Sequence, residues 1–181
     1  MTAALFGGSF DPPHIAHEQI AHKVLNQLKI DTLFVTPSYL NPFKEKFHFD
    51  PHTRFDLVKS LFENEPKIVV CDYELLQNQP TPTIQTVQYL QSYYNIQKLY
   101  LIIGADNLAT LHLWKDFDIL QTLVEFVVVT RAGFELKNDI IKHKTIHLDK
   151  DISSTYIRAS LDESKIPNKI KQKVKQLWNK E

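Results

Sequence analysis

The chain has 181 residues, a length that suits one domain burying roughly two thirds of its unfolded surface. Its 43% apolar and 23% charged residues exclude the disordered and fibrous classes. Lys plus Arg and Asp plus Glu both total 21, so no global field favours a nucleic-acid polymer or an anionic membrane, and a phosphorylated ligand requires only a local positive site.

Met1 to Phe6 lack the charged and long apolar regions of a secretory signal, and no later apolar run is long enough to cross a bilayer, so the expected location is the cytoplasm. In chain order, residues 3–6 read as a strand and 14–29 as a helix, with Ile20, Val24 and Leu28 on one face beside Ala21 and Leu25. A strand over 32–36 follows. Asp50 and Pro51 then read as the N-cap and first position of a helix with an apolar stripe of Phe55, Val58, Leu61 and Phe62, ending near Pro66. Residues 68–71 form a third strand, in which Cys71, the only cysteine, reads as a small buried hydrophobe. Ile84, Val87 and Leu90 mark a helix entered through Pro80-Thr81-Pro82, and strands over 99–103, 126–130 and 145–148 come next. Ile166, Ile170, Val174 and Leu177 close the chain with a basic amphipathic helix whose lysines read as a solvated face. The alternation predicts one α/β domain over 1–181 built on a mainly parallel sheet with helices on both faces, with a helical C-terminal part from about 153 to 181.

Only four glycines are present, and all lie just after predicted strands: Gly7 and Gly8, Gly104, and Gly133. They mark the carboxyl edge of the sheet, where open α/β sheets bind ligands. The densest pattern is Gly7-Gly8-Ser9-Phe10-Asp11-Pro12-Pro13-His14-Ile15-Ala16-His17, a tight turn running into a helix. It lacks the Gly-Lys-Ser/Thr ending of a P-loop and the third glycine of a dinucleotide fingerprint. It offers instead a helix N-terminus with His14 and His17 on one side, able to bridge successive phosphates. A transition-metal pair and ordinary surface histidines are the competing readings; no further ligands for a zinc site are visible, and no metal-binding residue is assigned. Downstream, Ile152-Ser153-Ser154-Thr155-Tyr156-Ile157-Arg158 pairs a helix-capping Ser153 or Ser154 with an arginine.

The first segment resembles the signature of nucleotidyltransferases that share a Rossmann-like fold, with Ala16 where that family usually has glycine, and the second resembles their Ile-Ser-Ser-Thr-x-Ile-Arg pattern in full. The resemblance implies a doubly wound sheet, an ATP site formed by Gly7, Gly8, Ser9, Phe10, Gly104, Asp106, Ser153 and Ser154, and charge stabilisation by His14, His17 and Arg158. Between them, Gly104-Ala105-Asp106 with Trp114 resembles the nicotinate mononucleotide adenylyltransferase family, in which the tryptophan stacks on the pyridine ring; core packing is the alternative for Trp114. The same family implies Lys44 as a phosphate contact, in a loop where Phe43 replaces a usual histidine. It implies Thr83 as a partner of the nicotinate carboxylate, with Pro82 replacing the tyrosine of a Tyr-Thr pair that follows an Asp-x-Glu matched by Asp72 and Glu74. Arg131 is a mononucleotide contact or a structural ion-pair member. The implied reaction joins ATP, carrying Mg2+ on its phosphates, to nicotinate mononucleotide. Nicotinamide mononucleotide or another phosphorylated acceptor is the alternative, and a nucleotide sensor without turnover is the alternative of a different class. Homo-oligomerisation stays open.

Overall fold

A computed structural model describes residues 1–41, 46–131, 140–148 and 152–179, and of Arg131 the backbone alone. Six strands, β1 (Thr2–Gly8), β2 (Thr32–Pro37), β3 (Ile68–Val70), β4 (Lys98–Gly104), β5 (Glu125–Arg131) and β6 (His143–Leu148), form one sheet in the order β3-β2-β1-β4-β5-β6. Every adjacent pair is parallel. This is the doubly wound arrangement that the resemblance implies, and all six strands fall where the short β-branched runs place them.

A parallel sheet must be covered on both faces, and the side chains of β1 show how the residues divide. Ala4 and Phe6 point into a core with helices α1 (Ile15–Gln27), α2 (Pro51–Phe62), α6 (Ser154–Ser160) and α7 (Asn168–Trp178), through Val24, Val58, Ile157 and Val174. Ala3 and Leu5 point the other way, into a core with α4 (Thr83–Tyr93), the 3-10 segment Ala105–Leu113 and α5 (Phe117–Leu123), through Val87, Leu111 and Leu120. Cys71 belongs to this second core, and burial pushes its thiol pKa up, as expected of a packing residue. The four-residue helix α3 (Tyr73–Leu76) follows β3.

The observed stripe of α2 is Arg54, Leu57, Val58, Leu61 and Phe62, with Phe55 half-buried, so the helix is rolled relative to the sequence expectation. An arginine therefore enters the interior. Asp50 caps this helix, accepting from the amide of Thr53 at 3.1 Å, and these bonds hold its carboxyl below the usual carboxylate range against the desolvation that would raise it. Among the described residues, no helix is long and apolar enough to cross a membrane.

Replacing Asp50 with Ala removes the acceptor and should cost about 1 kcal/mol of stability by urea unfolding near neutral pH. Because the folded pKa is lowered, the aspartate's contribution is present above its unfolded pKa and lost as pH falls through the folded one. The difference between Asp50→Ala and the parent should accordingly shrink in acid.

Candidate active site

The strand order reverses at β1 and β4, and the chain leaves those strands at Gly8 and Gly104. A cavity of about 320 Å³ opens at this switch point, lined by Gly7, Gly8, Gly104, Asn107, Thr83, Glu74, Trp114 and Lys115 among others. At Gly8 an added Cβ would stand 3.1 to 3.5 Å from three atoms of the Phe10 ring, and at Gly104 it would collide with Asp106 Oδ1. Asp106 thus folds back over the end of β4, beside Asn107, whose side chain donates to the Gly104 carbonyl at 3.3 Å. Gly7 meets only ordinary contact and is exposed, which leaves its backbone approachable from outside.

The turn after β1 is shaped from below. Phe10 has a backbone φ of 49°, in the left-handed region, and its side chain is 1% exposed. Its ring packs edge-on against Phe6 at 5.5 Å and beneath His17 at 4.6 Å. Phe10 therefore supports the histidine with its side chain and can offer a nucleotide only its backbone. The peptide bond between Asp11 and Pro12 is cis.

His14 is the N-cap of α1, and His17 lies in its first turn. The rings stack at 3.6 Å, and the His14 amide donates to His17 Nδ1 at 3.1 Å. An Nδ1 that accepts leaves the ring proton on Nε2, so this bond fixes His17 as a donor at its outer edge. His14 is 2% exposed while His17 is half-buried, so the pair presents one wetter ring over one enclosed ring.

The second motif, more than 140 residues away, docks on this same turn. Ser154 Oγ donates to the Pro12 carbonyl at 3.1 Å, and Arg158 Nη1 donates to the Asp11 carbonyl. Arg158 Nη2 donates to Thr155 Oγ1 at 3.2 Å. Ser153 Oγ caps α6 by accepting from the Tyr156 amide at 3.2 Å. Ser154 and Arg158 thus hold the two motifs together while Ser153 caps α6, and Arg158 also brings positive charge toward the α1 N-terminus. His14, His17 and Arg158 converge on one loop, as do Gly7, Gly8, Ser9 and Phe10.

Thr83 and Trp114 line the cavity. Trp114 packs partly against the core, and its indole N–H is buried without a hydrogen-bond partner among the described residues, so core packing and a wall position coexist in one side chain. Lys44 and Gly133 lie outside the described residues, as does the side chain of Arg131.

Two side chains carry more of this geometry than sequence reasoning assigned them. Arg54 is 1% exposed and donates to the carbonyls of Phe49 at 3.0 Å, Ser9 and Ser38 at 2.7 Å each, and Tyr39 at 2.6 Å. Burial lowers its pKa, opposed by the charges of Asp11 and Asp50. Asp11, beside it, accepts from the amides of His48 at 2.8 Å and Phe49 at 2.9 Å. Together they tie the turns after β1 and β2 to the entry of α2. The available signal was position: Arg54 lies three and four residues before Leu57 and Val58, on the buried stripe. The second is Glu74, a buried carboxyl in the cavity wall.

Truncating Arg54 to Met strands four carbonyls and should cost at least about 3 kcal/mol in urea unfolding. Arg54→Lys should recover only part of that loss, because an ammonium cannot span the four acceptors.

The cytidylyltransferase-like family model matches residues 5–160. A protein from Campylobacter jejuni subsp. jejuni serotype O:6 named probable nicotinate-nucleotide adenylyltransferase is 44% identical over 99% of this chain and 98% of its own length. One of the same name from Sulfurimonas denitrificans is 42% identical over 99% of this chain and 96% of its own. Among solved structures, the Plasmodium falciparum nicotinic acid mononucleotide adenylyltransferase complexed with NaAD superposes with a TM-score of 0.75, covering 94% of this chain and 89% of that one at 24% identity, a likeness of fold.

Proposed function

The chain belongs to the cytidylyltransferase-like family and, within it, to the nicotinate-nucleotide adenylyltransferases, and from that membership we propose that it transfers the adenylyl group of ATP to nicotinate mononucleotide, releasing pyrophosphate and nicotinate adenine dinucleotide for NAD biosynthesis. In this reading residues 1–181 act as one nucleotidyltransferase domain in the cytoplasm, with ATP and the mononucleotide as its partners. The observation that carries it is the junction of the two motifs, where Ser154 and Arg158 bind the Pro12 and Asp11 carbonyls immediately before the paired histidines.

The acceptor's phosphate oxygen attacks the α-phosphorus of ATP in line, forming one P–O bond as the bond to the β-phosphate breaks. That oxygen is already anionic, so the protein need supply no nucleophile or base. Positioning and charge stabilisation carry the rate. The triphosphate lies across the N-terminus of α1, whose dipole and amides favour anions. His17 Nε2–H, His14 and the Arg158 guanidinium hold its oxygens, and the exposed Gly7 admits it close to the backbone. Asp106 receives ribose hydroxyls. In the cavity Trp114 stacks on the pyridine ring while the first turn of α4, at Thr83, meets the carboxylate; Lys44 and Arg131 complete the mononucleotide contacts.

Among the described residues no group of three His, Cys, Asp or Glu side chains is placed to hold a metal ion, and the side chains gathered at the phosphate end are nitrogen donors. What suits such a site is Mg2+ that arrives on the nucleotide's own phosphate oxygens, where it would add positive charge to the leaving pyrophosphate.

His17→Ala should lower kcat roughly 10²-fold or more in a pyrophosphate-release assay with Mg-ATP and nicotinate mononucleotide. Its thermal midpoint should fall only by the few degrees that losing the acceptor of the His14 amide costs, since the ring is half-buried. An equally fast variant would remove His17 from the charge-stabilising set.

A further inference from the structure

Glu74 is the acidic side chain that lines the cavity among the described residues. It sits on α3, 7% exposed, and Thr86 of α4 donates to its Oε1 at 2.8 Å. Thr83 and Thr86 are separated by three residues on α4 and share a face, so the carboxyl stands beside the helix's first turn. That turn begins at Pro82 without a side-chain cap, leaving its amides and positive dipole end to attract an anion. The corner of the cavity that draws a carboxylate therefore already contains one.

Two carboxylates in one corner cannot both ionise cheaply, and a shared proton converts the repulsion into a hydrogen bond. Burial pushes the Glu74 carboxyl up to about 7, opposed only by the Thr86 bond. The elements around α3 carry other titratable groups: Cys71 and Asp72 before it, His52, Arg54, Asp56 and Lys59 on α2, Tyr89 and Tyr93 on α4, and Lys115 on the cavity wall. Of these, Cys71 feels the charge of Glu74, which helps to keep its thiol protonated, while burial is the main cause of the Glu74 shift.

We propose that Glu74 is a specificity-determining residue which, when protonated, donates a hydrogen bond to the pyridine carboxylate of the acceptor, beside Thr83 and in a corner where Pro82 can offer no donor. The inference rests on the reaction proposed above. Ionised Glu74 repels the acid and accepts from the amide NH2 of nicotinamide mononucleotide, so the preference for acid over amide is set by one proton. Binding of the acid above neutrality takes that proton up from solvent.

The test is the ratio of kcat/KM for nicotinate over nicotinamide mononucleotide, measured from about pH 6 to about pH 9 in the parent and in Glu74→Gln. The acceptor phosphate titrates in both substrates and cancels in the ratio. For the parent the ratio should fall as pH rises above neutrality, approaching about tenfold per pH unit, the limit for one proton. In Glu74→Gln, whose amide donates at every pH, the ratio should be flat. A flat ratio in the parent, which needs no variant to fold, overturns the role of Glu74, as does an unchanged slope in Glu74→Gln. Pyrophosphate release with neither mononucleotide overturns the reaction itself, and this inference with it.

Discussion

The site depends on a buried arginine. A glycine-rich turn that ends a strand and starts a helix exposes carbonyls and amides that neither element satisfies, and interior groups of that kind must find partners. Arg54 meets the need with one planar group, gathering carbonyls from Ser9, Ser38, Tyr39 and Phe49. Its charge is kept in the interior by Asp11 and Asp50, and Asp11 fastens the amides of His48 and Phe49 in turn. With that knot in place, Phe10 holds its left-handed backbone, its ring stays under His17, and the α1 N-terminus faces the mouth of the site.

On that frame the two ends of the site are chemically distinct. One end is a set of donors, the paired imidazoles and Arg158 at a helix N-terminus, suited to phosphate oxygens. The other is an apolar cavity between the ends of β1 and β4, walled by Trp114 and closed by the first turn of α4 with Glu74 beside it. The switch point of the sheet places the two next to each other, so in the proposed reaction a chain of phosphates anchored at the first would lead toward a flat ring held in the second. Little of the rate enhancement needs a reactive side chain, and rigid placement is what this frame supplies.

The fold was largely legible because parallel strands are buried on both faces and read as uninterrupted β-branched runs, and because α1, α4 and α7 carry clear apolar stripes. The short α3, α5 and the 3-10 segment were not legible: their few turns are fixed by packing against β2, α4 and β5 more than by local pattern. Within the site, motif residues could be found because phosphate binding demands particular residue types at set spacings. Arg54 was hidden because a charge on an amphipathic helix reads as solvent-facing, and only the convergence of three separate segments gives it four acceptors. Glu74 was visible as part of a motif, but its environment was not, since α3 packs on β2 and α2 while Thr86 of α4 reaches the carboxyl at the cavity wall. The part of Phe10 that the sequence left open was its ring, which packs under the histidine above it and leaves the backbone for the expected nucleotide contact.

The joining of two distant motifs into one phosphate cradle is tested most directly by a crystal structure with a non-hydrolysable ATP analogue. The expected result places triphosphate oxygens within about 2.7 to 3.2 Å of both His17 Nε2 and the Arg158 guanidinium, across the N-terminus of α1. A triphosphate bound away from that helix end, or touching only one of the two motifs, would contradict it.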